Sequence, residues 1–446
     1  MSGALKNVDK LILHGLVVTM DVDSRQLDDG AVAVSGRDIV AVGPSSEISQ
    51  QYTADEVIDA SGHVVMPGLI NAHTHLAMTL LRGFVGDVTT QDFLAKVWPV
   101  EGKYMTPENV RLGTQLAIAE MMRGGTTTAM DMYWNPQSGA DAASRAGFRL
   151  ITGLIMNDFI TDDDLTVTER VERGRTMLES LQDDPLLIPA VLPHAVYTTS
   201  PETLKETWAL AEELDVIWHT HASENDAEVE TVRGQYGATP IEHLNKHGLL
   251  GKRTVLAHVV SPTDEDIEIL AASGASVAHC PISNLKTGAG IAPLVKFKAA
   301  GVPVLLGTDG TSSSNDLDLW KVMRFAAILH RGVVKDPTFN PASDVVRMAT
   351  CDAAAALGLG EIIGSIEPGK RADILLIDLN APHLVPMYDV YDHLVYCVGR
   401  EDVSTVLING QVVMDCRALL TLNEKSLMDA ARRLGKQIKG EDAAGQ

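Results

Sequence analysis

Eight short apolar runs alternating with amphipathic stretches constrain this chain more than any other feature of its sequence. The runs occupy residues 64–70, 126–132, 150–156, 187–192, 216–221, 254–258, 276–279 and 304–307. Between them, helical periodicity marks residues 109–123, 142–146, 171–181, 202–214, 240–247, 265–272 and 294–300. A strand that returns to its sheet through a helix pairs in parallel with its predecessor. Helices then cover the sheet on both faces, so its strands read as continuous apolar runs. Eight such units predict an α/β chain whose core, residues 64–364, closes into a TIM-type (β/α)8 barrel.

The flanks follow a different rhythm. The first sixty residues hold short β-rich runs (11–13, 17–20, 31–34 and 39–42) separated by Gly and Asp turns, with a tight hairpin at Gly36-Arg37-Asp38. Past Gly364, residues 372–379 and 405–413 are apolar again, and Asn409-Gly410 is a strong hairpin signal. Residues 1–63 and 365–422 are therefore expected to join into one small β-sandwich domain beside the barrel. Residues 423–446 read as a helix that frays into a disordered Gly/Ala end. A length of 446 residues fits one large and one small domain.

Charge narrows the partners. Against 36 Lys and Arg stand 59 Asp and Glu, a formal charge of −23. Such a surface repels phosphate backbones and anionic lipid, so neither nucleic acid nor membrane is an expected partner. No run approaches the roughly 18 apolar residues of a membrane span, and the charged N-terminus does not resemble a signal peptide. Cys280, Cys351, Cys397 and Cys416 are scattered without a CxxC, which predicts reduced thiols in the cytoplasm. A small-molecule substrate and self-association into a homo-oligomer are expected.

The chemistry lies where the runs end. The first is followed by Asn71-Ala72-His73-Thr74-His75, and residues two apart on an extended segment point the same way, so both imidazoles can face one point. The fifth run ends His219-Thr220-His221, the sixth in His258, and the eighth leads into Thr308-Asp309-Gly310. One strand-end histidine is ordinarily structural. Several at the C-terminal mouth, where barrel enzymes hold their sites, suit a divalent metal. His221, nearer the strand end, is the better ligand of its pair, and His219 is expected one layer deeper. Glu224, three residues beyond His221, is a candidate proton shuttle. No Lys lies between 187 and 200, where a second metal would need a bridging group, so a single metal is favoured. His194, in that fourth-strand segment, then becomes a candidate for substrate contact.

These stretches resemble the amidohydrolase superfamily, and within it the group of methylthioadenosine/S-adenosylhomocysteine deaminases and triazine hydrolases. The likeness runs from Ile39 to about Val413. It is carried by residues 65–75 (Val-Met-Pro-Gly-Leu-Ile-Asn-Ala-His-Thr-His), 283–286 (Ser-Asn-Leu-Lys), 307–310 (Gly-Thr-Asp-Gly) and 364–373 (Gly-Ser-Ile-Glu-Pro-Gly-Lys-Arg-Ala-Asp). The resemblance implies that His73, His75, His221 and Asp309 bind the metal. It implies that Glu224 transfers protons and that His258 orients the hydroxide. Trp98-Pro99-Val100-Glu101 matches a segment whose Glu accepts hydrogen bonds from ribose, and His194 matches a purine-contacting histidine. Val196 departs from the usual Pro there.

The expected cofactor is one divalent metal per subunit, Zn2+, although Fe2+ and Mn2+ also accept such ligands. The expected reaction is deamination of an amino-substituted purine nucleoside such as methylthioadenosine or adenosine, by attack of metal-bound hydroxide. Asp309 would accept the water's proton and Glu224 would protonate a ring nitrogen. Another amino-heterocycle, a guanine-like base, pterin or s-triazine with dechlorination included, is the alternative. Deaminases that take S-adenosylhomocysteine tend to offer an Arg after the third strand. Here residues 157–164 are acidic, so a substrate without a homocysteine tail is expected.

Overall fold

The computed structural model describes residues 5–158 and 165–445. The N-terminal segment contributes β1 (Lys6–Val18), β2 (Gln26–Ser35), β3 (Asp38–Pro44), helix α1 (Ser45–Gln51), β4 (Tyr52–Asp59) and β5 (His63–Pro67). The barrel strands are β6 (Leu69–Thr74), β7 (Thr126–Asp131), β8 (Arg149–Met156), β9 (Leu187–Pro193), β10 (Ile217–Ala222), β11 (Thr254–His258), β12 (Ser276–His279) and β13 (Val304–Leu306). Between β6 and β7 run α2 (Thr90–Tyr104) and α3 (Pro107–Arg123). The later returns are α4 (Pro136–Ala146), α5 (Val167–Leu181), α6 (Pro201–Leu214), the pair α7 (Asp226–Tyr236) and α8 (Pro240–Lys246), α9 (Asp264–Ser273), and the pair α10 (Pro281–Lys286) and α11 (Leu294–Ala300). Then come α12 (Leu319–Val334), α13 (Ala342–Met348), α14 (Cys351–Ala356), β14 (Ile374–Asp378), α15 (Val390–Tyr396), β15 (Val403–Ile408), β16 (Gln411–Asp415), β17 (Ala418–Leu419) and α16 (Glu424–Gly445).

Local chemistry sets these boundaries. Pro107, Pro136, Pro201 and Pro240 open their helices, where a missing N–H costs nothing. Capping boxes close Thr166 with Glu169, Thr239 with Glu242 and Thr263 with Asp266. Strands β6 to β13 pair in parallel in sequence order, as the alternating pattern predicts. The ring is drawn together by Asp309 N–H donating to the His73 carbonyl at 3.0 Å. The Asn71 amide also bonds both the N–H and the hydroxyl of Thr308, at 3.0 and 2.8 Å. Both contacts lie beside the HxH segment, so closing the ring and building its mouth use the same residues.

The N- and C-terminal segments share a nine-stranded sheet, ordered β17-β16-β15-β14-β5-β1-β2-β3 with β4 beside β1. It curls so that Val32 and Val34 of β2, Val65 of β5 and Leu407 of β15 share one apolar core. The run read as one barrel strand at 64–70 is two. Residues His63–Pro67 pair with β14 in this sheet, and the barrel begins at Leu69. The small domain's first part thus extends past residue 63. Gly68 makes the crossing because a Cβ there would stand 2.0 Å from the Thr127 hydroxyl. Helix α2, which carries Trp98 and Glu101, is absent from the helices expected from periodicity; Pro99 inside it broke the pattern. The acidic loop expected at 157–164 lies, from 159 on, outside the described residues. Among the described residues, no helix is long and apolar enough to cross a membrane.

Candidate active site

His73 and His75 flank the end of β6, His221 is next to last in β10, His258 ends β11, and Asp309 follows β13. All five are buried. The ligand atoms of His73, His75 and His221 lie within 4.8 Å of one another, as do those of His73, His258 and Asp309. Asp309 Oδ1 is 3.5 Å from His73 Nε2 and 3.3 Å from His75 Nε2, and His221 Nε2 is 3.4 Å from His75 Nε2.

Their outer atoms explain why these nitrogens converge. His75 Nδ1 bonds the Met132 carbonyl at 2.6 Å, and His221 Nδ1 bonds the His194 carbonyl at 2.6 Å. A carbonyl can only accept, so each ring carries a proton on Nδ1 and turns its Nε2 toward the cluster. His73 reaches the same state through a relay. Its Nδ1 lies 2.8 Å from His219 Nε2, and His219 Nδ1 lies 2.8 Å from the Val255 carbonyl. His219 must donate to that carbonyl, so its Nε2 accepts from His73. His73 Nε2 is then left buried without a hydrogen-bond partner. His219 does sit deeper, as its parity predicts, and it touches the ligand above it.

Asp309 takes a left-handed backbone conformation at φ +63°. Its Oδ2 accepts from the hydroxyls of Ser283 and Ser313 at 2.5 and 2.8 Å, and its Oδ1 accepts from Gly310 N–H at 2.7 Å. Burial opposes its charge, but the imidazoles of His73 and His75 hold its carboxyl well below the usual range. Burial likewise opposes a charge on His75, but Asp309 lifts that ring to about 9, so without a metal its Nε2 also holds a proton, the one a divalent cation would displace. Burial drives His258 down to about 3, and its Nδ1 lies 3.1 Å from the Asn284 amide nitrogen. That amide donates, so His258 keeps its proton on Nε2 and is a neutral donor. Three convergent imidazole nitrogens and one carboxylate oxygen around one point fit a divalent cation, which would also satisfy the otherwise unpartnered His73 Nε2.

Beside this cluster lies a cavity of about 670 Å³, lined by Met78, Phe93, Trp98, Glu101, Tyr133, His194, Tyr197 and Glu224 among others. Every sequence-predicted site residue reaches it except His73, which lies beneath the floor. The His194 ring packs 5.8 Å from Trp98, and its Nδ1 lies 2.9 Å from the Thr198 hydroxyl. Glu101 is buried, accepts from the Tyr133 hydroxyl at 2.5 Å, and is pushed by burial up to about 7. An open groove of about 1230 Å³ shares Leu94, Trp98, Glu101 and Trp134 with the cavity. No Lys or Arg lines either space among the described residues. Asp158, at the third strand's exit, is engaged elsewhere: it accepts from Ser200 N–H at 2.5 Å and from the Thr203 hydroxyl at 2.8 Å.

Sequence reasoning missed Ser283, Ser313, Asn284 and Tyr133. Ser283 and Asn284 stood inside a quoted motif without a role. The others carry no local signal, because their parts depend on which strand ends face one another.

Comparison with known proteins places this geometry among relatives. A family model described as the amidohydrolase family matches residues 64–413. The chain is 43% identical over 432 residues to a 5-methylthioadenosine/S-adenosylhomocysteine deaminase of Syntrophobacter fumaroxidans, covering 97% of this chain and 98% of that one. Its fold superimposes with a TM-score of 0.95 on an adenosine deaminase from Xanthomonas campestris with bound zinc, at 38% identity, covering 98% of this chain and all of the other. It also matches an atrazine chlorohydrolase of Arthrobacter aurescens complexed with zinc, at a TM-score of 0.87 and 28% identity, covering 96% and 100%.

Proposed function

The chain belongs to the amidohydrolase family, and from that premise we propose that it is a zinc-dependent hydrolytic deaminase of an amino-substituted purine nucleoside such as methylthioadenosine or adenosine. The observation that carries this reading is the convergence of three Nε2 atoms and Asp309 Oδ1 at the floor of a cavity that also holds a buried carboxylate, Glu101. His73, His75, His221 and Asp309 would hold the ion. A divalent cation so held lowers the pKa of water from about 16 toward about 7.

The protein's own groups do the rest. Asp309, whose Oδ2 is oriented by two seryl hydroxyls, would take the proton that leaves the attacking water. His258, a neutral Nε2–H donor, aims that water. Glu224, protonated, donates to a ring nitrogen, which keeps that proton, and makes the adjacent carbon electrophilic; after attack, the proton held by Asp309 would pass to the leaving amine, and the new hydroxyl would return a proton to Glu224 as the carbonyl forms. Glu101 accepts hydrogen bonds from ribose hydroxyls, while Trp98 and His194 flank the purine. Aromatic walls exclude water and sharpen each of these interactions.

A lining without Lys or Arg among the described residues supports a neutral 5′ substituent over a carboxylate-bearing tail. The likeness to an atrazine chlorohydrolase supports a second reading, attack on an s-triazine from the same floor. A triazine has no hydroxyls to engage Glu101, which favours the nucleoside. The unpaired cysteines support a cytoplasmic location, and the exposed Phe325, Ile328 and Val333 of α12 support self-association. A zinc count combined with ammonia release from methylthioadenosine, adenosine, S-adenosylhomocysteine, guanine, a pterin and an aminotriazine tests the reading. It expects one zinc per chain and the highest kcat/KM on methylthioadenosine or adenosine. Zinc-free, inert protein would overturn it, and a preference for the triazine would select the second reading.

A further inference from the structure

The turn that delivers Glu224 is held by an unusual partner. Glu228, in the first turn of α7, is 4% exposed, yet among the described residues no cation touches its carboxylate. One oxygen accepts from Ser223 N–H at 3.1 Å and the other from Glu224 N–H at 2.6 Å. A glutamate at this helix position commonly reaches back to the N-cap N–H. Here the N-cap is Asn225, whose side chain accepts from Glu228 N–H at 3.0 Å. The Glu228 carboxylate bypasses it for the two amides upstream, so it fastens the turn rather than the helix.

That turn needs fastening. Ser223 stands at φ +51°, a left-handed conformation that strains a non-glycine residue. From its other side, Val260 N–H and Ser261 N–H donate to the Ser223 carbonyl at 2.8 and 3.0 Å. The peptide between His221 and Glu224 is thus clamped between the loop after β11, which follows His258, and the carboxylate of α7. Burying a carboxylate without a counter-ion is expensive. The burial that pushes Glu228 up to about 7 expresses that cost. What it secures is the direction in which the chain leaves β10.

We propose that Glu228 is a positioning residue for the reaction: by gripping two consecutive amides it fixes the backbone from which Glu224 reaches into the cavity. The proposal rests on the proton-transfer role given to Glu224. A misplacement of about 1 Å in a reacting group costs on the order of 100-fold in rate.

The test is a double-mutant cycle on the zinc-loaded full chain. Glu228→Gln keeps the shape but sets an NH2 against one amide. It is expected to lower kcat roughly 10- to 100-fold, with KM within about twofold and zinc still one per chain. In the Glu224→Gln background the same change should cost nothing further, because it acts only through Glu224. An unchanged kcat in Glu228→Gln overturns the proposal. So does a penalty that multiplies in full onto that of Glu224→Gln, or a loss of zinc. Full activity in Glu224→Gln alone would instead remove the catalytic role of Glu224. Should the Gln variant not fold, Glu228→Asp keeps the charge and withdraws the carboxylate by one methylene. A fall in kcat at constant KM supports the grip, and an unaltered kcat overturns it.

Discussion

The two ends of the barrel both bury charge, and they do so in opposite ways. At the lower end, Arg149 opens β8 and grips Asp373 of the small domain through two parallel bonds of 2.9 and 3.0 Å. Its third nitrogen donates to the Pro185 carbonyl, and Asp373 also accepts from Asn409 N–H at 2.7 Å. Both side chains are 2% exposed, and their charges are matched atom for atom. At the upper end, His73 Nε2 has no hydrogen-bond partner, while Glu101, pushed by burial up to about 7, lines the cavity. Charge buried to join two domains is saturated by its neighbours. Charge buried for chemistry is left with open valences aimed at one cavity, where substrate and cofactor can complete them.

The largest effects should therefore fall on different observables at the two ends. Glu224→Gln is expected to lower turnover by about 10²–10⁴, with zinc content and melting temperature unchanged. His75→Ala should instead lose the metal, read by elemental analysis, while the chain stays folded. Asp373→Ala should do the reverse and cost about 3–5 kcal/mol in denaturant unfolding, because the guanidinium of Arg149 is left buried and uncompensated. The protein that remains folded should retain its kcat. Arg149→Met combined with Asp373→Leu should recover much of that stability, since an ion pair replaced whole leaves no orphan charge. A loss of turnover in Asp373→Ala at full folding would mean that the ends are coupled, and the contrast would fail.

How much of this was written in the sequence differs between the ends too. The barrel was legible because its strands are buried on both faces and most return helices carry an N-cap side chain or an opening proline. The ligands were legible because they sit at strand ends with a period of two. The split of the run at 64–70 was not, since one apolar run serves two sheets and only the crowding of Gly68 against Thr127 separates them. Helix α2 was hidden by Pro99, which sequence rules treat as a breaker. Asp373 was visible only as part of a motif; its role depends on Arg149, 224 residues away. Glu228 and the Ser283–Asp309 contact are long-range or turn-specific for the same reason: which amide or carboxylate faces them is decided by register, not by local composition.

Smaller effects test the finer claim that the upper end is organised in layers. His219→Leu removes the acceptor for His73 Nδ1 and should weaken zinc affinity roughly 10–100-fold, measured against a competing chelator. His219→Gln, which can still accept there, should lose less. Equal affinity in the Leu variant and the parent would show that His73 holds its orientation without the relay.

The smallest expected effect concerns Glu101. Its carboxyl faces the Tyr133 hydroxyl, the Trp134 side chain and, at longer range, His75. Burial raises it to about 7, so it is mostly ionised at pH 8 and mostly protonated at pH 6. Only the ionised form offers both oxygens to two ribose hydroxyls. KM for a nucleoside should accordingly rise about tenfold as pH falls from 8 to 6, since one pH unit below the pKa leaves about a tenth of the sites ionised. An amino-heterocycle without ribose should show no such rise, and Glu101→Gln should flatten the nucleoside profile while raising KM throughout. If the base and the nucleoside share one pH profile in KM, Glu101 does not read ribose. Its open valence would then belong with the saturated charges of the lower end, merely paired with Tyr133.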